Sequence, residues 1–252
     1  KAINKGEVMF IDQHLSETVE QMRNKQLKKP DIAVIEAVAI TEDGGIIPTT
    51  SVGNSASFAI FAEKVIVEIN TNLSPAFEGL HDIYIPSYRP TRQPIPLTEV
   101  DERIGTQAIN IDPSKIVGIV INSEFHDSPS TVTEPDDETQ GIANHLIAFF
   151  EKEVAEDRLP KNLGPLQAGI GSIANAVLTG LKDSNFEDLI MYSEVLQDCT
   201  FELIDAGKMK FASGSSITLS AKNSEKVFNN LEAYKDKLVL RPQEISNHPE
   251  LV

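Results

Sequence analysis

The chain has 252 residues, 40% of them hydrophobic, and a formal net charge of −16. That length holds one large α/β domain or two medium ones, and the apolar share excludes global disorder. The charge argues against a nucleic-acid surface, which needs clustered Lys and Arg. A single cysteine, Cys199, excludes an internal disulfide and any metal site built on several cysteines.

Residues 8–12 (VMFID) read as a short buried strand, and Ser16 as the N-cap of a helix to about Leu27. Residues 31–40 (DIAVIEAVAI) form a nearly continuous apolar run, the pattern of a strand covered on both faces. Asp43-Gly44-Gly45 marks a turn, so residues 46–50 are predicted to pair back as a hairpin. A helix opens at Gly53-Asn54-Ser55 and runs to Ala62, and residues 64–70 (KVIVEIN) return as a buried strand. Strand–helix–strand alternation predicts a parallel sheet. Pro86, Pro90, Pro94 and Pro96 then impose a long irregular connection before the strand at 115–122.

Residues 126–138, rich in Ser, Thr, Pro and Asp, make the best boundary. After it, Ile142, Leu146, Phe149, Phe150 and Val154 recur at helical spacing, up to a stop at Pro160. A second α/β alternation follows. It comprises a Gly169–Gly171 turn, a helix at 172–181, a strand at 189–193, a helix at 199–206, an extended piece at 209–212, a helix at 224–234 and a strand at 238–241. No apolar run is long enough to span a membrane, and the opening KAINKGEV lacks the apolar core of a signal peptide. The first residue is not Met, which reads as an excerpt of a longer protein.

Two segments carry the chemistry. LQAGIGSIANAV, at 166–177, is a Gly-rich turn opening a helix, and MYSEVLQD, at 191–198, is a strand ending on Glu194. Ligands of open α/β sheets sit beyond the carboxyl ends of strands. A carboxylate there can act as a covalent nucleophile toward an activated acyl group. The N–H groups of the turn at Gly169, Ile170 and Gly171 can hold an oxyanion or a phosphate. Spacing alone leaves a dinucleotide site open as well. GIGSIA approaches that fingerprint, and Glu194 lies 24 positions after Ile170.

Other candidates read as structural. His14, His81, His126, His145 and His248 lack the spacing of a zinc site, so no metal is expected. His81 beside Asp82 reads as a structural hydrogen-bonding pair. Cys199, at a helix start where a thiolate is favoured, reads as a buried structural thiol. The serine cluster at 213–216 has no GxSxG elbow, and the acidic run at 134–138 reads as linker and helix N-terminal charge.

Both segments resemble the acetyl-CoA hydrolase/transferase family, which includes succinyl-CoA:acetate CoA-transferases. DQHLS at 12–16, DIAVIEA at 31–37, FEGLHDI at 77–83, ERIGT at 102–106, RLPKNLGPLQAGIG at 158–171 and ISNHPE at 245–250 extend the resemblance over essentially the whole chain, in order. It implies class I CoA-transferase chemistry. Glu194 corresponds to the nucleophile that forms acyl-glutamyl anhydride and glutamyl-CoA intermediates. The backbone N–H of Ile170 corresponds to one oxyanion donor, flanked by Gly169 and Gly171, and Asn247 to an amide that positions substrate or the glutamate.

The implied fold is two α/β parallel-sheet domains of the CoA-transferase (NagB/RpiA-like) type. Residues 1–127 would be the C-terminal part of the first, 128–138 a linker, and 139–252 the N-terminal part of the second, carrying the glutamate. Two departures stand out. Ser172 replaces an Asn common in the family, and the chain stops at Val252, before a glycine-rich segment that supplies a second oxyanion donor. The chain therefore reads as a fragment of a protein nearly twice as long.

The resemblance further implies acyl-CoA and small carboxylic acids as partners, coenzyme A thioester as substrate without a prosthetic group, and a homodimer. It implies no nucleic acid or membrane partner, and a cytoplasmic location, mitochondrial in a eukaryote. The alternatives are a non-catalytic fragment that binds CoA or a partner, and a nicotinamide-binding α/β protein.

Overall fold

The computed structural model of the chain describes residues 2–124 and 136–252. Helix α1 (Glu17–Arg23) precedes strands β1 (Ile32–Ile40) and β2 (Ile46–Pro48), helix α2 (Ser55–Phe61), and strands β3 (Lys64–Asn70) and β4 (Ile116–Asn122). These strands form one sheet in the order β2-β1-β3-β4. β1, β3 and β4 are parallel, and β2 folds back antiparallel through the predicted hairpin.

Two expectations fail here. Residues 8–12 form no strand, and Met9 is 87% exposed. An apolar run becomes a strand only where a neighbour takes up its backbone hydrogen bonds, and among the described residues none does so here. β1 is also not covered on both faces. Ala33, Ile35 and Ala37 are buried, while Ile32 and Val34 are exposed. The residues expected to link the halves, 128–138, lie largely outside the described residues, as do the candidate His126 and the start of the acidic run.

Helix α3 (Asp137–Ala155) begins with a capping box, in which Asp136 Oδ1 accepts from the Thr139 backbone N–H and Thr139 Oγ1 accepts from the Asp136 N–H. Then follow β5 (Pro165–Leu166), α4 (Ser172–Asp183), β6 (Leu189–Tyr192), β7 (Val195–Leu196), α5 (Asp198–Asp205), β8 (Met209–Gly214), β9 (Ser216–Ile217), α6 (Ala221–Asn229), β10 (Leu238–Leu240) and α7 (Gln243–Ser246). A parallel sheet runs β10-β8-β6-β5, and β7 and β9 pair as a small parallel ribbon.

One continuous core joins the two halves. The backbone joins them as well. Asp82 N donates to Leu240 O at 2.9 Å, and Leu240 N donates to Leu80 O at 2.8 Å, so residues 80–82 lengthen the second sheet beyond β10. Val52 N donates to Ser215 O at 3.0 Å, and Ile217 N donates to Thr50 O at 2.8 Å, bringing residues 50–52 against β9. Arg241, fully buried, pairs with Asp82 across this junction.

Candidate active site

Glu194 sits where the chain leaves β6 and turns into β7. Its backbone carbonyl accepts two N–H bonds, from Ser215 at 2.6 Å and Ser216 at 3.2 Å, at the matching break between β8 and β9. The two neighbouring strands thus leave the main sheet together, and Glu194 is pinned at the pivot. Gly214 completes the fit: a Cβ there would lie 2.7 Å from Leu196 Cγ and 3.3 Å from the Glu194 carbonyl.

The half-buried Glu194 side chain is gripped from α7. Gln243 Nε2 donates to Oε1 at 2.6 Å and Asn247 Nδ2 donates to Oε2 at 3.0 Å. Positions i and i+4 share one face of a helical turn, so a single turn delivers both amides. Among the described residues the carboxylate has no cationic partner. Neutral amides orient it and leave its charge uncancelled.

A four-residue helix has no stability of its own, so tertiary contacts set its position. Gln243 N donates to Gly53 O at 2.8 Å. Tyr192 Oη donates to Ile245 O at 2.7 Å, and burial pushes the Tyr192 phenol up to about 12. Glu244 makes a two-bond ion pair with Arg23 of α1, at 2.7 and 3.0 Å, with both side chains 1% exposed. Glu20 then joins Arg23 to Arg92, whose Nη2 meets His248 Nε2 at 2.8 Å. Burial, and then the Arg92 charge, lower the affinity of His248 for a proton.

The glycine turn lies beside this strand. The buried Ser193 bridges to it, its Oγ accepting from Ala168 N at 3.4 Å and donating to Ala168 O at 3.2 Å. Gln197 Nε2 donates to Gly169 O at 3.2 Å. Gly171 has φ +150°, a region that favours glycine, and a Cβ at Gly169 or Gly171 would meet nothing within 4 Å. These glycines therefore do not serve close packing, and the space before them is open. Ile170 is 77% exposed, and its N–H has no acceptor among the described residues. Two clefts flank the segment leading into the turn. One, of about 560 Å³, runs between the turn, Leu146 and Phe150 of α3, and Val177 of α4. The other, of about 320 Å³, lies between Leu97, Val100, Gln167 and Tyr192. Glu194 lines neither cleft.

The remaining candidates have structural surroundings. His81 and Asp82 do not bond to each other. His81 Nε2 meets Thr49 O at 3.0 Å, and full burial lowers its pKa to about 4. Asp82 takes Arg241 together with the N–H groups of Ile104 and Gly105. Cys199 is buried, which pushes its thiol up and away from the reactive thiolate. His145 is exposed on α3. Among the described residues no group of three or more His, Cys, Asp or Glu is placed to hold a metal, and no helix is long and apolar enough to cross a membrane. Sequence reasoning missed Gln243, the Arg23–Glu244 pair and the backbone role of Ser215 and Ser216. The i, i+4 amide pair in QEISN was the available signal.

Residues 1–121 match the model of the acetyl-CoA hydrolase/transferase N-terminal domain. The whole chain aligns at 46% identity with 49% of an acetyl-CoA hydrolase of Schizosaccharomyces pombe. It aligns at 45% identity with 46% of a succinyl-CoA:acetate CoA-transferase of Clostridium kluyveri. The chain thus spans about half the length of these curated relatives. Among solved structures, RipA from Yersinia pestis superposes with a TM-score of 0.66 at 17% identity, over 99% of this chain and 50% of RipA. A 4-hydroxybutyrate CoA-transferase from Porphyromonas gingivalis superposes with a TM-score of 0.61 at 20% identity, over 99% of this chain and 54% of that one. At such identities the likeness is one of fold, and it agrees with the α/β parallel-sheet class.

Proposed function

We propose that this chain, which belongs to the acetyl-CoA hydrolase/transferase family, carries the nucleophile of a CoA transfer or acyl-CoA hydrolysis, and that the nucleophile is Glu194. One observation carries the reading: a carboxylate at the end of a parallel strand, with each oxygen held by a neutral amide and no ion pair to it among the described residues.

One Glu194 oxygen attacks the carbonyl carbon of a short acyl-CoA such as acetyl- or succinyl-CoA. The C–S bond breaks, CoA leaves as thiolate, and a mixed anhydride remains. The thiolate then attacks the glutamyl carbonyl carbon, releasing the acid and leaving a glutamyl-CoA thioester. A second carboxylic acid runs the sequence backwards and leaves as its CoA thioester. If water attacks instead, the outcome is hydrolysis. Ile170 N–H serves as an oxyanion donor within the Gly169–Gly171 turn, and Asn247 positions substrate against Glu194. The N–H of Ile170, without an acceptor among the described residues, and the open space over the turn support the first role. The 3.0 Å contact with Glu194 supports the second.

The same reading takes residues 1–127 and 139–252 as parts of two CoA-transferase domains joined by 128–138. It takes coenzyme A thioester as substrate without a prosthetic group, and a homodimer acting in the cytoplasm, or in mitochondria in a eukaryote. Glu194→Ala tests it: acyl-CoA turnover should vanish together with the covalent CoA adduct. Full turnover in that variant would sink the assignment.

A further inference from the structure

We infer that Gln243 is a further catalytic residue, whose amide holds the Glu194 oxygen that stays on the enzyme throughout the exchange. This rests on Glu194 being the nucleophile. The two carboxylate oxygens then have different fates. One bonds to the acyl carbon, bridges the anhydride and departs with the released acid. The other remains as the glutamyl carbonyl oxygen. Each attack on the glutamyl carbon, by CoA thiolate or by acceptor carboxylate, moves an electron pair onto that retained oxygen. It needs a donor fixed in place beforehand.

The geometry distinguishes the two amides. Gln243 Nε2 is the closer, at 2.6 Å against 3.0 Å for Asn247 Nδ2. Gln243 is also anchored on both sides: its backbone N–H bonds Gly53 O at 2.8 Å, and the next residue is the buried Glu244, locked to Arg23. Asn247 differs. Its Oδ1 is buried and has no partner among the described residues. A buried acceptor left without a donor is costly, and an incoming ligand can supply one. Asn247 thus marks the ligand side of Glu194. Oε2, beside it, is the oxygen that attacks, and Oε1, under Gln243, is the oxygen that stays.

The test is the rate at which CoA becomes attached to Glu194 in the purified protein after mixing with acetyl-CoA, followed by peptide mass, alongside steady-state kinetics. Gln243→Leu should slow adduct formation by about 100-fold, the usual loss for one oxyanion donor. KM for acetyl-CoA should change less than about twofold. Gln243→Met, which keeps the length of the side chain and has no donor, should show the same loss and guards against a leucine variant that fails to fold. An unmodified rate in a folded variant, or a rise in KM with kcat unchanged, would overturn the role of Gln243 alone. Absence of any adduct on Glu194 in the unmodified protein would overturn the nucleophile assignment beneath it.

Discussion

Asn247 Nδ2 lies 3.0 Å from Glu194 Oε2, although 53 positions separate the two residues in sequence. The contact exists because β6 ends at the pivot of the second sheet while α7 follows β10 on the far side of β8. The carboxylate is therefore set by rigid elements on both sides, which makes its reach critical. Glu194→Asp keeps the charge and withdraws it by about one methylene. A misplacement near 1 Å can cost about 100-fold, so acyl-CoA turnover should fall by at least that factor while the thermal midpoint stays close to that of the unmodified protein.

Gly214 is the second point of fit. An alanine Cβ would press on Leu196 and on the Glu194 carbonyl, and overpacking of this kind costs about 1–3 kcal/mol. Gly214→Ala should lower turnover more than Ala212→Gly, which alters the same strand one turn of the pleat away. Equal effects in paired kinetic measurements would show that the backbone behind Glu194 is not constrained as described.

Arg241 and Asp82 hold the junction between the halves. Both are buried, and the guanidinium also reaches Ser213 Oγ at 2.9 Å and Val100 O at 3.1 Å. Removing one partner leaves a buried charge uncompensated, at a cost of about 3–5 kcal/mol. Asp82→Ala should shift a urea unfolding midpoint strongly downward, and Asp82→Ala with Arg241→Met should recover part of the loss. An additive double variant would contradict the pairing.

His81 gives a pH signature. Its ordinary pKa of 6.5 falls to about 4 on burial, so between these values the unfolded chain binds a proton that the folded chain does not. Folding stability should therefore rise with pH through this window, and the contribution of His81, complete above about 6.5, is lost as the pH falls toward 4. His81→Phe should flatten the slope of unfolding free energy against pH by up to one proton between pH 4 and 6.5. An unchanged slope would refute the buried neutral imidazole.

Much of this was legible in the sequence, for identifiable reasons. The β-branched runs of β1, β3 and β4 and the DGG turn are local signals, and they placed the first sheet closely. VMFID misled because strand formation also needs a partner, which periodicity cannot reveal. Glu194 was readable as the end of a strand and Asn247 through resemblance. Gln243 went unnoticed because its role depends on a contact 49 positions away. The Arg23–Glu244 pair, 221 positions apart, left no local mark.

The most direct measurement is the mass of the Glu194 peptide after incubation with acetyl-CoA, with and without borohydride. A CoA adduct should appear on that peptide, should be removed by borohydride, and should be absent in Glu194→Ala. Thioester consumption at an undiminished rate in Glu194→Ala, or an adduct mapping to any other residue, would contradict it.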